Sequence, residues 1–324
     1  MARAVVIEKF GEAGVLKYVD RDIGEPGIGE VLIEHTAIGL NRYDVECRAG
    51  LRKVGGFPFV PGVQGVGIVK QVGADVEAIG VGDKVGYCTA PGGAYSDTRI
   101  IHQRYLFRIP DDINEQVVAA GMFKAMAAHY LTHRIYDVRP GTHALVTGVS
   151  GGVGNILCQW AVYKGCKVIG TVNSERGTIV AKQSGCSHVF DSKDENAIKE
   201  IMSITSGRGV NVVYDSIGAE ASKMGFSVLG MFGLYVAFGH ITGAISGISA
   251  YTLSKRSWFM ASPLLHHYKS SRLELGLTAM EIFEMLRRGH LKIEVGKTYK
   301  FDDIVKAHKD VEGRAFQGLG IIVF

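Results

Sequence analysis

Hydrophobic and polar positions alternate in a regular way along the middle of the chain. Short, almost wholly apolar runs predict buried strands, and the segments between them carry apolar residues at helical spacing. The predicted strands are His143–Gly148, Lys167–Val172, His188–Asp191, Val210–Asp215, Leu234–Gly239 and Trp258–Ala261. The predicted helices are Val153–Lys164, Glu175–Ser184, Glu195–Thr205 and Ala219–Leu229. Because strands that alternate with helices form βαβ units, this α/β region is predicted to be a doubly wound parallel sheet.

The first 120 residues show a different pattern. Strand candidates here are short and are separated by Pro-Gly turns, which predicts an antiparallel, partly barrel-like β domain. These candidates are Val31–His35, Gly65–Gly73 and Gly82–Tyr87. After the last parallel strand, a predicted helix, Leu273–Arg288, and a final strand, Gly320–Phe324, are expected to return to the first domain. We therefore expect a β-rich domain at 1–122, a doubly wound domain at 123–263 and a returning segment at 264–324.

Composition narrows the class of protein. The 324 residues exceed a typical single domain, and 47% of them are apolar, enough to build two cores. The net charge of +4 comes from 36 basic and 32 acidic residues without a basic run, so nucleic acid is not an expected partner. The five cysteines form no Cys-x-x-Cys pair, and charged residues interrupt the N-terminal segment. We expect a cytoplasmic protein with reduced thiols and no signal peptide.

One stretch without charged side chains suggests a membrane span. No Asp, Glu, Lys or Arg occurs from Met224 to Ser254. The stretch nevertheless contains six glycines, a histidine and several serines. We interpret it as a buried strand, Leu234–Phe238, followed by a Gly/Ser-rich surface strip, and we expect no membrane partner.

The loop Thr147–Asn155 (TGVSGGVGN) lies between a predicted strand and a predicted helix, where dinucleotide-binding folds carry G-x-G-x-x-G. Gly151 and Gly154 match the last two glycines of that motif, whereas Gly148 comes one residue early. Backbone N–H groups at the start of the helix are predicted to hold a pyrophosphate. A tight turn without a ligand would use the same glycines, and the βα alternation downstream is what favours a cofactor.

The end of the second predicted strand bears on which cofactor is bound. NAD enzymes usually place an acidic residue there for the ribose 2′-OH. This strand ends at Val172 and is followed by Asn173, Ser174 and Arg176, which can donate to a 2′-phosphate. NADPH is therefore the predicted cofactor. Two alternatives stay open, because Asn173 and Ser174 would also cap the next helix and Glu175 could serve NAD.

Candidate metal ligands are sparse in the sequence. His129 and His133 are four residues apart on one predicted helix face. The glutamate of a metallopeptidase motif does not lie between them, and the sequence makes no third ligand evident. We expect a metal-free protein in which these histidines are ordinary packing residues.

Motifs along the whole chain resemble one family. They are Glu30–Ile33, Gly39–Asp44, Pro61-Gly62 with Gly65 and Gly67, Gly82–Val85, Gly93–Ser96, Ser150–Gly154 with Gln159, and Val213–Gly218. In order and spacing the chain resembles the zinc-free quinone oxidoreductases, the zeta-crystallin-like branch of the medium-chain dehydrogenase/reductases. Their loop also carries its first small residue one position early. The resemblance implies a GroES-like catalytic domain, a Rossmann NADP-binding domain, NADPH as cofactor and no zinc.

The resemblance also implies roles for individual residues. Asn41 matches an asparagine beside the nicotinamide, at a place where zinc relatives keep a cysteine ligand, and Gly62-Val63-Gln64 falls where they carry Gly-His-Glu. We expect catalytic roles for Asn41 and for Tyr43, the best nearby hydroxyl for polarising a carbonyl. For each residue the alternative is packing or turn geometry. The residues expected at the cofactor are Asn41, Ser150, Gly151, Gly152, Val153, Asn173, Ser174, Arg176, Phe238, Gly239, Ser262 and Arg314.

The expected reaction is transfer of a hydride from NADPH to a quinone or a similar conjugated acceptor. An alkenal or enone reductase on the same scaffold is an alternative, and a low-turnover NADPH-binding structural or RNA-binding protein is another. Departures from the family pattern at Glu46, Ala125 and Ala127 leave the acceptor open. Val149 departs within the loop, and Ser192 stands where a tyrosine often packs on the 2′-phosphate.

A homodimer is the last expectation. Strand Trp258–Ala261 is predicted to be a long apolar sheet edge, next to the charge-free strip Gly239–Ser254. An open edge of this kind invites pairing with another chain. Two copies that pair edge to edge across a two-fold axis would form one continuous sheet, which is how the family commonly dimerises.

Overall fold

The computed structural model of the protein describes residues 1–313, 315–316 and 318–324. The chain divides into two compact units. Unit 1 comprises Met1–Phe123, Lys269–Arg287 and Lys292–Phe324. Unit 2 comprises Lys124–Tyr268 and Arg288–Leu291.

The strands that the described residues form are numbered in chain order. They are β1 (Ala2–Val6), β2 (Lys17–Arg21), β3 (Glu30–Leu40), β4 (Gly65–Val72), β5 (Lys84–Tyr87), β6 (Thr98–His102), β7 (Phe107–Arg108), β8 (His143–Thr147), β9 (Lys167–Val172), β10 (His188–Asp191), β11 (Val210–Asp215), β12 (Leu229–Ala237), β13 (Phe259–Ala261), β14 (Val295–Lys300) and β15 (Leu319–Val323).

The α-helices of the same residues are numbered separately. They are α1 (Arg42–Arg48), α2 (Glu115–Tyr130), α3 (Gly152–Tyr163), α4 (Glu175–Gln183), α5 (Ala197–Ile204), α6 (Ala219–Val228), α7 (Ala250–Ser254), α8 (Leu265–Tyr268), α9 (Arg272–Arg287) and α10 (Ile304–Glu312). A π-helical turn, Leu131–Ile135, follows α2.

Unit 2 is built on a parallel six-stranded sheet in the order β10-β9-β8-β11-β12-β13. Read from the first strand of the sheet, this is the 3-2-1-4-5-6 order of a Rossmann fold, so the predicted doubly wound sheet is confirmed. The central strands are mainly apolar because both faces are covered, and Leu145, Ile169, Val213 and Tyr235 are fully buried in one core.

The edge of this sheet differs from its prediction. Strand β13 lies at the edge, as expected, but only Phe259–Ala261 pairs with β12, so the edge is short rather than long. Trp258 is not part of the strand, because its ring packs against the core and its Nε1 donates to the Gly230 carbonyl oxygen at 2.8 Å. Strand β12 in turn begins earlier than predicted and contains an irregularity at which Phe232 has a φ of 60°.

The charge-free stretch is only partly a surface strip. Its first half forms the end of α6 and the strand β12, which is buried except around Met231 and Phe232, and the strip that follows is mainly exposed. Ile245 and Ile248, however, pack against the core of unit 2. Among the residues that the structure describes, no helix is long and apolar enough to cross a membrane.

Unit 1 contains a seven-stranded sheet in the order β14-β15-β3-β4-β5-β7, with β6 pairing with β3, and a separate β1-β2 ribbon. All neighbours are antiparallel except β14 and β15. Strand β3 is eleven residues long, twice the length predicted from its first apolar residues, and buries alternate side chains from Val31 onward. Its last residues pair with β15 and lead directly into α1.

Two histidines are buried in the core of unit 1. The ring nitrogens of His35 lie 2.7 Å from the Ser96 carbonyl oxygen and 2.7 Å from the Tyr87 hydroxyl. The Nε2 of His308 lies 2.8 Å from the Tyr95 hydroxyl. Burial disfavours the charged imidazolium and lowers the pKa of each histidine from 6.5 to about 3.

We predict that the protein loses stability in mild acid because of these histidines. The unfolded chain takes up protons below pH 6.5, whereas the folded histidines do so only near pH 3. The free energy of unfolding is then unaffected above pH 6.5 and falls as pH drops through this window, by up to about 1.4 kcal/mol per pH unit for each histidine. Urea unfolding followed by circular dichroism at several pH values measures the slope.

His35→Gln should remove one proton from that dependence and make the slope shallower. His188→Gln, at an exposed position in unit 2, is the control and should leave the slope as it was. An unchanged slope in His35→Gln would contradict the assignment.

Candidate cofactor and active site

The glycine-rich loop connects β8 to α3 in unit 2. Gly148 has a φ of +63°, and a Cβ there would lie 2.9 Å from Ile217 Cδ1, so only glycine fits this turn without strain. Helix α3 begins after Gly151, whose residue type provides no side chain to cap it. A Cβ at Gly154 would lie 2.6 Å from the Gly148 carbonyl oxygen, which shows how closely the helix packs on the loop. The first N–H groups of α3 therefore require partners from outside the helix.

The departure from the family pattern at Val149 has a structural counterpart on the neighbouring strand. Val149 is fully buried. It projects onto β9 at Gly170, where an added Cβ would come within 2.5 Å of Val149 Cγ1. The larger loop residue is accommodated because residue 170 has no side chain.

The residues expected at the cofactor's ribose follow the carboxyl end of β9. Asn173, Ser174 and Arg176 are exposed. The Ser174 hydroxyl caps α4, accepting from the Gly177 N–H at 3.1 Å, so one expected alternative role is present. A Cβ at Gly177 would lie 3.0 Å from Ser150 Oγ and 3.1 Å from Ser174 Oγ. The loop after β8 and the start of α4 thus place the two hydroxyls beside the same glycine.

A buried carboxylate that sequence analysis missed organises the neighbouring strand ends. Asp215, the last residue of β11, is fully buried. It accepts from the Thr147 hydroxyl, from the Tyr235 hydroxyl at 2.7 Å, and from the N–H groups of Ile217 and Gly218 at 2.8 and 3.1 Å. Burial and the nearby carboxylate raise the pKa of Tyr235, so its phenol remains a donor. The signals in the sequence were an acidic residue at the end of a mainly apolar strand and its place in the family motif Val213–Gly218.

The predicted residues after β12 and β13 lie at the same edge of the sheet, because all six strands are parallel. The N–H groups of Phe238 and Gly239 donate to the Asp215 carbonyl oxygen at 2.9 and 3.3 Å. A Cβ at Gly239 would lie 2.5 Å from the Ser216 carbonyl oxygen, so this glycine is required by close approach of the backbone. Ser262 is exposed directly after β13. Arg314 lies outside the described residues.

In unit 1, Asn41 lies at the start of α1 and is buried. Its Nδ2 donates to the Gly39 carbonyl oxygen and to Gln64 Oε1, both at 3.3 Å, and its backbone N–H donates to Asp44 at 3.2 Å. Gln64 is fully buried and donates through Nε2 to the Val118 carbonyl oxygen at 2.9 Å. The side chain of Asn41 is therefore held by its hydrogen bond to the amide of Gln64. The sequence analysis did not predict that Gln64 orients Asn41.

Tyr43 lies on the first turn of α1 and is partly buried. Its ring packs 5.9 Å from that of Phe123, and the Arg52 guanidinium lies 4.6 Å from its centroid. Arg52 is itself held by Glu46, at 2.6 Å. Burial is the main cause that raises the pKa of Tyr43. The phenol is thus protonated at neutral pH and able to donate a hydrogen bond.

The two histidines considered as metal ligands lie at the end of α2 and in the π-helical turn. The rings of His129 and His133 stack at 4.3 Å, and both meet the ring of Trp160 edge-on. His133 Nδ1 lies 2.9 Å from the His129 carbonyl oxygen. The two rings pack on each other and on Trp160, and the absence of a metal at them stays a prediction.

Comparison with known proteins gives matches along the chain. A family model described as "Alcohol dehydrogenase GroES-like domain" matches residues 27–111, and one described as "Zinc-binding dehydrogenase" matches residues 152–269. A quinone oxidoreductase of Pseudomonas aeruginosa is 33% identical over 324 residues, with 100% of both chains covered. A 2-haloacrylate reductase of a Burkholderia species is 36% identical over 330 residues, covering 100% of this chain and 98% of the relative. The structure of Escherichia coli quinone oxidoreductase complexed with NADPH has a TM-score of 0.95 at 32% identity, with 100% of both chains covered.

A GroES-like β unit combined with a Rossmann sheet and its glycine-rich loop defines a medium-chain dehydrogenase/reductase. Within this class, the chain belongs to the zinc-free quinone oxidoreductase family. The family and the fold class predicted from the sequence are confirmed.

We predict that Val149 and Gly170 are energetically coupled. Gly170→Ala should lower the free energy of unfolding by about 1–3 kcal/mol, because its methyl group overpacks the contact with Val149. Val149→Ala should also destabilise the protein, through the lost burial. The double variant should recover most of the Gly170→Ala loss. Urea unfolding followed by the fluorescence of Trp160 and Trp258, both in unit 2, measures each variant. Losses that simply add in the double variant would refute the coupling.

Proposed function

We propose that the protein is an NADPH-dependent oxidoreductase that transfers a hydride to a quinone or a similar conjugated acceptor without a metal. The observation that carries this proposal is the start of α3 behind the glycine-rich loop, where no side chain of Gly151 caps the helix and a ligand can take up the first N–H groups. Such a helix start binds a phosphate group through N–H donors and the positive end of the helix dipole. The NADPH-complexed relative of E. coli, which matches over the whole chain, supports the same cofactor.

The residues of unit 2 fit NADPH by their donor chemistry. The loop from Ser150 to Val153 would hold the pyrophosphate with backbone N–H groups. Asn173, Ser174 and Arg176 would donate to the 2′-phosphate, and the Ser174 hydroxyl keeps its own hydrogen for this purpose while its oxygen caps α4. The residues proposed for the nicotinamide end are Asn41, Phe238, Gly239, Ser262 and Arg314. When bound, the nicotinamide supplies the hydride.

In unit 1, Asn41 and Tyr43 are the proposed polar groups for the reaction. The link to Gln64 orients the amide of Asn41. The protonated phenol of Tyr43 can donate to the acceptor's carbonyl oxygen and stabilise the negative charge that develops there. Arg52 and Phe123 on the tyrosine ring restrict its orientation.

The proposed absence of metal has a physical basis at the positions where zinc relatives carry ligands. Asn41 and Gln64 offer amides that already bond to each other, and Val63 is a buried aliphatic side chain. Thiolate and imidazole, the usual ligands of zinc, are therefore missing from these three positions.

An alkenal or enone reductase is the second candidate. It is favoured by one observation, the 36% identity to the Burkholderia 2-haloacrylate reductase over the whole chain. Both candidates use the same cofactor arrangement, and they differ in whether the hydride is added to a quinone or to an activated carbon–carbon double bond.

We further propose a cytoplasmic homodimer whose chain has two domains, a catalytic domain at 1–122 to which the segment 264–324 returns, and an NADP-binding domain at 123–263. The edge of the Rossmann sheet supports the dimer, because large apolar side chains near it are exposed. They are Met231 (67%), Phe232 (66%), Tyr251 (78%) and Phe259 (60%). An exposed strand edge with such side chains is suited to pairing with a second copy.

We predict that metal-stripped protein oxidises NADPH with simple quinones faster than with enones or 2-haloacrylates. Steady-state NADPH oxidation after exhaustive dialysis against a chelator measures this. Turnover restricted to activated alkenes would favour the reductase alternative, and no turnover with any acceptor would favour a low-turnover binding protein. Loss of activity on chelation, restored by stoichiometric zinc, would contradict the metal-free mechanism.

Arg176→Ala should weaken NADPH binding by about 1.5–3 kcal/mol, because a charge-assisted hydrogen bond to the 2′-phosphate is lost. NADH binding should barely change. Arg208→Ala is the matched control, since Arg208 is also exposed but precedes β11 at the opposite edge of the sheet. Fluorescence titration with both cofactors measures the effect, and equal binding of NADH and NADPH to the unmodified protein would show that the preference is wrong.

Phe259→Lys should weaken the dimer, because a charge would be buried at the paired edge. This position tests the edge better than Ile245 or Ile248, which pack against the unit's own core. Ile179→Lys, on α4 and 53% exposed, is the control. Light scattering at micromolar concentration should show a dimer for the unmodified protein and the control, and monomers for Phe259→Lys. A monomeric unmodified protein would exclude this arrangement.

A further inference from the structure

Two cysteines of unit 2 lie in contact with each other. The Sγ atoms of Cys158, on α3, and Cys186, in the turn between α4 and β10, are 3.3 Å apart. Both are free thiols. Cys158 is fully buried, whereas Cys186 is partly exposed. One sulfur of the pair can therefore meet a small reagent from solvent, and the other is placed to react with it next.

Hydrogen bonds hold the two segments in this arrangement. Cys158 Sγ donates to the Ser184 carbonyl oxygen at 3.4 Å. The Ser184 hydroxyl accepts from Asn155 Nδ2 and donates to the Val180 carbonyl oxygen, both at 2.7 Å. The hydrogen bond to Cys186 and burial raise the pKa of Cys158. Cys158 thus rests as a protonated thiol directly beside its partner.

We propose that Cys158 and Cys186 form an oxidation site that hydrogen peroxide converts into a disulfide. Cys186 gives its proton to water, and the thiolate attacks one peroxide oxygen, so that an S–O bond forms and the O–O bond breaks. The departing hydroxide takes up that proton, and a sulfenic acid and one water result. The Cys158 sulfur then attacks the sulfenic sulfur and loses its proton, the S–O bond breaks and a second water leaves. Two thiols lose two electrons in total, and one peroxide is reduced to two waters.

The site adjoins the cofactor loop. A Cβ at Gly170 would lie 3.0 Å from Cys186 Sγ and 2.5 Å from Val149 Cγ1, so the sulfur and the buried loop residue pack around the same point of β9. A disulfide requires the sulfurs to approach from 3.3 Å to about 2.05 Å. Formation of the disulfide draws α3 and the turn after α4 together and shifts the side chains that pack against Val149. Oxidation therefore weakens NADPH binding, a consequence that rests on the proposed function.

Peptide mapping tests the site itself. The protein is treated with hydrogen peroxide, remaining thiols are alkylated, and the tryptic digest is analysed by mass spectrometry without reduction. Trypsin separates Cys158 (residues 135–164), Cys166 (165–167) and Cys186 (183–193) into different peptides. We expect a cross-link between 135–164 and 183–193 that dithiothreitol reverses. A cross-link from Cys158 to Cys166 instead, or full alkylation of Cys158 and Cys186 after peroxide, would overturn the proposal.

Two variants sharpen the result. Cys186→Ser should abolish the cross-link, and Cys166→Ser, which removes the other buried thiol of this region, should retain it. Persistence of a Cys158 cross-link in Cys186→Ser would also overturn the proposal.

NADPH titration of the reduced and oxidised protein tests the coupling to the loop. We expect about tenfold weaker binding after oxidation, equivalent to about 1.4 kcal/mol, and no loss in peroxide-treated Cys186→Ser. If the fully cross-linked protein binds NADPH as tightly as the reduced protein does, the proposed effect of oxidation on the cofactor loop is wrong. If the reduced protein binds no NADPH, the proposed function fails, and the cross-link result still decides the oxidation site.

Discussion

The arrangement of the Rossmann strand ends depends on one buried carboxylate. Asp215 has left water completely, and a carboxylate in that position is tolerated only if hydrogen-bond donors surround it. The donors come from β8, from β12 and from the turn after β11, so a single residue ties together three neighbouring strands. Backbone N–H groups of the turn after β12 bond to its carbonyl oxygen. The edge at which the cofactor is proposed to bind is therefore set by electrostatics as much as by the sheet's own hydrogen bonds.

The sequence predicted most of this sheet because its strands are short apolar runs with helical segments between them. Strands β9, β10 and β11 have the predicted bounds. The errors occur where a distant contact decides the structure. Trp258 lies outside the edge strand, where its ring packs on the core and bonds to the Gly230 carbonyl oxygen, and Ile245 and Ile248 of the strip pack against the same core. Local pattern carries no information about such contacts.

In the candidate site, too, some residues could be predicted from the sequence and others could not. The loop and the strand ends could be named as candidates from motifs, and Asn41 could be named from the family resemblance. The groups that hold them could not. Gln64 is 23 residues from Asn41, and Thr147 is 68 residues from Asp215. Val149 departs from the family pattern, and only the fold shows that Gly170 lies opposite it and leaves space for its larger side chain. A motif search can identify a group that contacts a ligand, but the residue that orients it is identified only by the fold.

The topology of unit 1 has a consequence for synthesis of the chain. Its central strand, β3, lies between β4 and β15, and β15 is separated from it by the whole of the Rossmann sheet. On the ribosome, unit 2 has all its strands once residue 261 has emerged. In unit 1, β6 pairs with Glu30–Glu34 of β3, but Ala37–Leu40 on the same edge stay unpaired until residue 323 follows. Exposed strand edges make a nascent chain prone to aggregation. The β-rich part, although translated first, therefore completes its sheet last, and part of its central strand is open to pairing with other chains during that interval.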